Sequence, residues 1–299
     1  MIESKCRVFL CSLCLMMFLS APVLAANNDW TAHHKTAASR KPKAKLSVEK
    51  INELDSELFA AVDENERGLV LRALARGAVI NSTDRAGMTP LMHASLRGES
   101  EMVRLILSKG AEVNVLDIFG ITALMQASWA GHTEVVQMLI ARGANPNIQS
   151  SEETPRLRTA GVSALMGACM NGNFEVVKFL LARHANVNQQ DEQGQSALMY
   201  ATREGNARIV NLLLSMGAKL ETQDQFGRTA LTIATIYDRY DVACLLISAG
   251  ANVNTKDIHN MKPIVYASAL DHGGIYTLLK TAMIQRGNCA PGQSFQLAP

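Results

Sequence analysis

The sequence lacks the features that mark most enzymes and nucleic-acid-binding proteins. Its 29 lysines and arginines nearly balance 27 aspartates and glutamates. The formal charge of only +2 gives no reason to expect a nucleic-acid partner. No Gly-x-Ser-x-Gly, phosphate-binding loop or His-Glu-x-x-His motif occurs. The sequence therefore predicts a protein that is not an enzyme and that carries no metal or cofactor.

Cysteine is too sparse for a disulfide framework. Three of the six cysteines lie within the first 25 residues, and Cys169, Cys244 and Cys289 lie beyond them. An odd number in an oxidising compartment argues against paired bridges. Cys169 follows a repeated small residue, which indicates a buried packing position, whereas Cys244 occupies a position that is polar elsewhere and is expected to be partly exposed. Pairing of Cys244 with Cys289 stays open.

Residues 1–25 have the pattern of a secretory signal peptide. Lys5 and Arg7 precede the apolar run "VFLCSLCLMMFLS", and Val23-Leu24-Ala25 ends it. The run is short for a bilayer span and its exit is polar, which favours cleavage after Ala25 over a signal anchor. The brevity of this segment and its alanine-rich end are typical of bacterial export. We expect a periplasmic or secreted protein with no stable membrane anchor after cleavage.

Residues 26–47 form a basic segment with little apolar content. Asp29 is the only acidic residue there, against Lys35, Arg40, Lys41, Lys43 and Lys45. A segment of this kind cannot bury enough apolar surface to offset the entropy of ordering. We interpret it as a flexible basic linker, with a functional basic patch as the alternative.

From residue 58 onward, one apolar position recurs; its members are Leu58, Leu91, Leu124, Leu165, Leu198, Leu231 and Ile264. Successive gaps between these marker positions are 33, 33, 41, 33, 33 and 33 residues. Seven residues after each marker stands Asn, Gly or Asp, residue types that tolerate the left-handed backbone of a turn between helices. An alanine also recurs three residues after each marker, which predicts close helix–helix contacts.

Each unit predicts two amphipathic helices. Thr89-Pro90 is a helix start, because a hydroxyl caps the first turn and proline lacks the amide that would go unpaired. The stretch 101–109 has a broad apolar face and ends at Gly110. An extended segment closed by an Asp-x-x-Gly turn then leads into the next unit.

The period and the patterns G-x-T-P-L-M, A-G-H-x-E-V-V, G-A-x-V-N and D-x-x-G resemble the ankyrin repeat. The resemblance covers residues 48–286 in about seven units and leaves 287–299 as a C-terminal tail. It implies an all-α fold, an ankyrin-repeat solenoid of stacked helix-turn-helix units with β-hairpin-like turn tips. Where the family usually has a polar histidine, this chain has methionine, which suggests a more apolar spine: Met92, Met125, Met166 and Met199. These methionines come one per unit, too far apart to share a metal ion, so core packing is expected.

The resemblance also implies a concave groove that binds a partner protein, lined by the turn tips and the exposed side of each first helix. Carried over position by position, it yields ten candidate partner-binding residues. Their aromatic and arginine content is typical of interface anchors, although packing against one another is the alternative. The candidates are Arg85, Met88, Ile118, Phe119, Ile121, Trp129, Arg203, Phe226, Arg228 and Tyr237.

One unit is eight residues longer than the others, with a polar insertion near 148–160 that contains Pro155. Insertions in repeat proteins map to loops, often on the binding face. A tolerated loop is equally consistent, because added loop length costs little.

The sequence as a whole predicts a monomeric, non-enzymatic scaffold that binds another protein. Two alternatives remain, a periplasmic envelope-stress or redox-protection factor that uses a thiol, and a secreted factor that binds a host protein.

Overall fold

The computed structural model describes residues 47–151 and 160–288, with side chains to residue 285. These residues belong to a unit that begins at Leu46. Outside the described residues lie the predicted signal peptide (1–25), nearly all of the predicted linker (26–47), most of the insertion and the end of the C-terminal tail. The predictions made for those segments therefore stay predictions.

The described residues contain fourteen α-helices and no strand, which confirms the all-α prediction. The helices follow one another as seven consecutive pairs, each with a first helix and a second helix. The first two pairs are α1 Val48–Asp63 with α2 Arg67–Arg76, and α3 Pro90–Arg97 with α4 Ser100–Ser108. The next two are α5 Ala123–Ala130 with α6 Thr133–Ala141, and α7 Ala164–Met170 with α8 Phe174–Ala182. The last three are α9 Ala197–Glu204 with α10 Ala207–Ser215, α11 Ala230–Ile236 with α12 Tyr240–Ser248, and α13 Pro263–Ala269 with α14 Gly273–Asn288.

A hydroxyl cap starts most first helices. Thr122 at the start of α5 accepts a hydrogen bond from the backbone N–H of Met125 at 3.2 Å, and Thr89, Ser163, Ser196 and Thr229 repeat this contact. Such caps stabilise a helix by about 1 kcal/mol each. Helix α5 ends at Gly131, whose φ of 82° gives the left-handed turn into α6. In the second to seventh pairs, the first helix is therefore only seven or eight residues long, because it begins at an N-cap residue and ends at a turn.

Positive φ angles occur where the sequence predicts them. The turn position seven residues after each marker is left-handed in all seven pairs. His184, which replaces a glycine at the end of a second helix, has a φ of 62°. The chain adopts the repeated turn even where the side chain makes that backbone unfavourable.

The marker residues form a buried row. Leucines 58, 91, 124, 165, 198 and 231 are at most 1% exposed, and Ile264 in the last pair is partly buried. The alanines three residues later are buried in all seven pairs, and the four methionines predicted for the spine are each 1% exposed. First helices of neighbouring pairs pack more closely than second helices do. Small residues on the first helices permit this approach, and one continuous core results.

Polar contacts between neighbouring pairs come from an asparagine row rather than from the methionine positions. Asn114 Oδ1 accepts the backbone N–H of Asn145 at 2.9 Å, and its Nδ2 donates to the carbonyl of Gly143 at 3.0 Å. Asn188 makes the equivalent contacts with Lys219 and Gly217. These side chains satisfy backbone groups at the ends of second helices that no helix can satisfy itself. The row of buried methionines is therefore apolar, and the asparagine hydrogen bonds between pairs lie at the loops.

Within the described ranges, no helix combines the length and the apolar character needed to cross a bilayer.

Candidate functional site

The turn tips between pairs are shaped by an aspartate at their start. Asp117 Oδ1 accepts the backbone N–H of Phe119 at 2.8 Å and of Ile121 at 2.9 Å. The backbone N–H of Asp117 in turn donates to the carbonyl of Ile121 at 3.1 Å, which closes a short hairpin. Asp84, Asp191, Asp224 and Asp257 accept the same two hydrogen bonds. The tips at 84–88, 117–121, 191–195, 224–228 and 257–261 therefore share one conformation.

Backbone hydrogen bonds also join each tip to the next. The N–H of Ile118 donates to the carbonyl of Ala86 at 3.1 Å, and the N–H of Ile258 donates to that of Phe226 at 3.0 Å. The same bond runs from Ser151 to Phe119, from Glu192 to Ala160 and from Gln225 to Gln193. The described residues on both sides of 152–159 take part, so the insertion leaves this series of tips unbroken. We call the exposed faces of these tips and of the first helices the inner surface.

Side chains of several first helices form hydrogen bonds with the aspartate of the preceding tip. Arg228 Nε donates to the second carboxylate oxygen of Asp224 at 2.8 Å, but this bond lies within the tip at 224–228. His93 Nε2, on α3, lies 3.0 Å from the equivalent oxygen of Asp84. The hydroxyls of Tyr200 and Tyr266 donate to Asp191 and Asp257 in the same way. The bond to Asp257, with partial burial, raises the pKa of Tyr266 to about 12. These tyrosines remain neutral donors at physiological pH.

The third pair lacks this hydrogen bond between its first helix and the tip aspartate in the described residues. Gln126 stands at the position that His93, Tyr200 and Tyr266 occupy elsewhere, and it is 6% exposed. Its amide oxygen is buried and has no hydrogen-bond partner in the structure. Burial raises the pKa of the Asp117 carboxyl, although hydrogen bonds from Ile121 and Phe119 oppose the shift. The tip at 117–121 is thus held by the Asp117 hydrogen bonds, by the neighbouring tips and by the burial of Ile121, without a hydrogen bond to the Gln126 amide oxygen.

The ten predicted partner-binding residues divide by exposure. Arg85, Ile118, Phe226 and Tyr237 are exposed, while Met88, Phe119, Trp129, Arg203 and Arg228 are partly buried. Ile121 is only 7% exposed, so the structure does not place it on the exposed surface where the sequence predicted it. It follows the tip glycine and lies in the core, as Val162 does in the next pair at 0%.

The pairs and their tips match a known repeat family. The family model described as "Ankyrin repeats (3 copies)" matches residues 58–150 and 165–257, which is more than half of the chain. The chain belongs to the ankyrin-repeat family. A solved structure titled "Crystal structure of human ASB11 ankyrin repeat domain" is similar with a TM-score of 0.62. The two are 23% identical, and the similarity covers 70% of this chain and 90% of the human domain. No curated protein matches the chain significantly.

Ankyrin repeats generally mediate protein–protein interaction, and their fold is typically a non-enzymatic scaffold. Two further exposed apolar residues lie on the ankyrin inner surface, outside the ten candidates. Ile258 is 62% exposed on the last tip, and Leu96 is 42% exposed on α3. Equivalence to Ile118 could have identified Ile258, since both stand directly after the tip aspartate.

Trp129, a sequence candidate, packs against the next ankyrin repeat. A Cβ atom added to Gly167 would lie 1.4 Å from Trp129 Cδ1, so the indole occupies the space of a missing side chain. Gly167 stands where the other repeats carry His93, Gln126 or Tyr200. The indole Nε1 is buried without a hydrogen-bond partner. Trp129 therefore fills a gap on α7 instead of projecting from the ankyrin surface.

Two of the three arginines among the candidates, Arg203 and Arg228, lie against aromatic rings. Arg228 Cζ is 4.6 Å from the centre of the Phe226 ring, and its guanidinium pairs with Asp224 at 2.7 Å. Arg203 lies over Tyr200 at 5.3 Å and over Tyr237 at 5.9 Å. Such cation–π contacts contribute about 0.5–2 kcal/mol each and restrict the guanidinium.

The cysteines of the ankyrin repeats show no sign of activation. Cys169 is fully buried, as predicted, and burial raises the pKa of its thiol. Cys244 is partly buried, also as predicted, and desolvation raises the pKa of its thiol as well. Both shifts reduce the thiolate fraction at neutral pH, and thiolate is the reactive form. Cys289 lies outside the described residues, so the pairing of Cys244 with Cys289 stays open.

Proposed function

We propose that the protein is an exported, non-enzymatic scaffold that binds a partner protein on its inner surface. The observation that carries this proposal is a set of large apolar side chains exposed on a rigid series of tips. Ile118 is 45% exposed, Phe226 is 42% exposed, and Tyr237 at the end of α11 is 46% exposed. None of them is needed to fill the core, and burial of such residues supplies most of the binding energy of protein interfaces.

The arrangement of the inner surface supports a pre-organised binding site. The aspartate contacts and the hydrogen bonds between tips fix the backbone before a partner arrives. Binding then costs little ordering entropy, which improves affinity for a given contact area. An ordinary interface buries about 800 Å² on each partner, an area that several neighbouring repeats together can provide.

The proposed place of action is the periplasm or the exterior of a bacterial cell. The support is the basic, apolar and small-residue pattern of residues 1–25, with cleavage after Ala25. A secreted factor that binds a host protein would use the same inner surface and differ only in location. The raised pKa values of Cys169 and Cys244 do not favour the alternative of thiol-based redox protection.

The test removes the exposed apolar side chains of the inner surface. The triple variant Ile118→Ala, Phe226→Ala, Tyr237→Ala is compared with Leu71→Ala, Met216→Ala, Tyr240→Ala. The control residues are similarly exposed, at 42%, 45% and 48%, but belong to second helices or their ends. Both variants should unfold at nearly the wild-type midpoint, because exposed residues contribute little to the core.

Crosslinking in the producing cells followed by affinity purification is the readout. We expect the inner-surface variant to lose specific partners that the control variant and the wild type retain. Identical partners for all three proteins would refute the proposed binding surface.

A further inference from the structure

Arg203 at the end of α9 is held in one orientation by three different parts of the chain. Its guanidinium lies over the ring of Tyr200 on the same helix and over that of Tyr237 in the next pair, at 5.3 and 5.9 Å. Its Nη2 donates a hydrogen bond to the side-chain oxygen of Gln195 on the preceding tip. A long arginine side chain normally loses considerable rotamer entropy on binding, and here the fold has already restricted it.

Arg203 has unused donors and no carboxylate partner. Elsewhere on the inner surface, Arg97 pairs with Asp63 at 3.0 Å and Arg228 pairs with Asp224 at 2.7 Å. In the described ranges, Arg203 forms no ion pair within 4.0 Å, and its Nε is buried with no acceptor. The guanidinium carries five N–H donors, so those on Nη1 and Nη2 that the Gln195 contact does not use are the ones left for a bound acceptor.

The buried carboxylate of Asp191, on the preceding tip, already accepts three hydrogen bonds. Asp191 Oδ1 accepts the backbone N–H groups of Gln193 and Gln195, and Oδ2 accepts the hydroxyl of Tyr200. It therefore shapes its tip, and although its charge attracts Arg203, the two form no ion pair within 4.0 Å among the described residues.

A second positive charge adjoins Arg203. Arg239 Nε donates to the backbone carbonyl of Arg203 at 2.9 Å, so the Arg239 guanidinium lies against the C-terminal end of α9. Arg239 likewise forms no ion pair within the part of the chain that the structure describes. The charges of Arg203 and Arg239 attract an anion, with the Asp191 carboxylate as the opposing charge, and the exposed Tyr237 ring supplies an apolar contact beside Arg203.

We propose that Arg203 binds an aspartate or glutamate side chain of the partner protein. The planar guanidinium presents parallel N–H donors that match a carboxylate, and the tyrosine rings shield the pair from water. The partner segment carries this acidic residue next to an apolar one that contacts Tyr237. The assignment rests on the proposed function and adds the chemistry of the partner to it.

The test uses a random library of 12-residue peptides displayed on phage and selected against the purified full chain. The peptides are fused through their C-termini, so a free terminal carboxylate cannot substitute for an acidic side chain. The selected peptides are then synthesised with a C-terminal amide and titrated against wild type, Arg203→Met and Arg203→Lys. Methionine keeps an unbranched stem of similar length without charge, whereas lysine keeps the charge but loses the planar fork.

Arg208→Met is the matched control. Arg208 Cζ lies 3.6 Å above the Phe174 ring, and its guanidinium is 3.9 Å from Glu175, so it is also an arginine on an aromatic ring. It belongs to the second helix α10 and lies outside the inner surface.

We expect the selection to enrich aspartate or glutamate at one position. Arg203→Met should weaken binding of these peptides about tenfold or more, consistent with loss of a charge-assisted pair, and Arg208→Met should not. Arg203→Lys should weaken binding less than methionine but measurably, and it decides the question if Arg203→Met does not fold. Peptides without acidic enrichment, or unchanged affinity for both Arg203 variants, would overturn the assignment of Arg203.

The inner-surface triple variant separates this failure from failure of the proposed function. If peptides lose affinity for Ile118→Ala, Phe226→Ala, Tyr237→Ala but not for the Arg203 variants, only the carboxylate assignment is wrong. If they bind the triple variant as tightly as the wild type, or if no peptide is enriched at all, the proposed binding surface itself is contradicted.

Discussion

Gly167→Ala should destabilise this protein, against the ordinary rule for helices. Replacing a helical glycine by alanine normally stabilises a protein by about 0.5–1 kcal/mol, because glycine loses more backbone entropy on folding. Gly167 lies inside α7. Here, however, the added Cβ would lie 1.4 Å from Trp129 Cδ1 and 1.5 Å from Trp129 Nε1. Real atoms cannot approach so closely, so the indole must leave its place.

The magnitude follows from what the indole loses. Exposing a large apolar side chain costs about 1.5–3 kcal/mol, and overpacking a core costs about 1–3 kcal/mol. After the helix-propensity gain is subtracted, we expect a net loss of about 1–2 kcal/mol. In a Trp129→Ala background the clash is absent, and Gly167→Ala should then stabilise by about 0.5–1 kcal/mol. The double-mutant cycle should give a coupling of about 2 kcal/mol.

Urea denaturation of the four proteins in the cycle measures this coupling. The sequence has two tryptophans, Trp30 and Trp129, so a Trp30→Phe background isolates the fluorescence of Trp129. Its emission should shift to longer wavelength in Gly167→Ala as the ring becomes solvated. A more stable Gly167→Ala protein with unchanged emission would refute the packing argument and would return Trp129 to the candidates for partner binding.

Three further predictions concern the core, a tip carboxyl and the N-terminus. Leu198→Ala should lower the free energy of unfolding by about 2–5 kcal/mol through lost burial and a cavity, with partner affinity unchanged in the folded fraction; equal stability in urea would contradict the buried row. Burial raises the pKa of the Asp117 carboxyl, so the folded state holds this proton more tightly than the unfolded state does. The free energy of unfolding should therefore fall as the pH rises from about 4, the pKa of an unfolded aspartate, towards the raised pKa of the folded state. Asp117→Asn should reduce that fall in urea titrations across pH, with the remainder due to Asp191 and Glu99, whose pKa values burial also raises; an unaltered pH profile would speak against it. N-terminal sequencing of the protein from periplasm or culture fluid should begin at Ala26, whereas an intact residue 1 would disprove cleavage.

The repeat frame could be predicted from sequence because it depends on local, recurrent chemistry. A hydroxyl cap, a left-handed turn residue and a leucine at fixed spacing specify each first helix wherever they recur. Leu124 is buried like the other five marker leucines, and Gly131 has a positive φ like its counterparts in all the other pairs. Because the pattern recurs seven times, a single exception such as His184 does not change the predicted fold.

The inner surface was harder to predict because exposure there depends on the neighbouring pair. Trp129 has an exposed position by helical spacing, yet glycine at 167, thirty-eight residues later, gives the indole a place to pack. Ile121 resembles Ile118 in type and closeness to the turn, but the hairpin closed by Asp117 leaves Ile121 in the core and Ile118 outside. Comparison with Val162 at the equivalent position could have exposed the error. The fixed orientation of Arg203 depends on three separate parts of the chain and has no signal in any one of them.

Site-specific photo-crosslinking tests the central claim most directly. A benzoyl-phenylalanine is placed at Phe226 on the inner surface or at Tyr240 on a second helix, positions that are 42% and 48% exposed. If the inner surface binds a partner, irradiation of producing cells should give a discrete crosslinked protein from position 226 and none of it from position 240. The same product from both positions, or a discrete product from position 240 alone, would contradict the account.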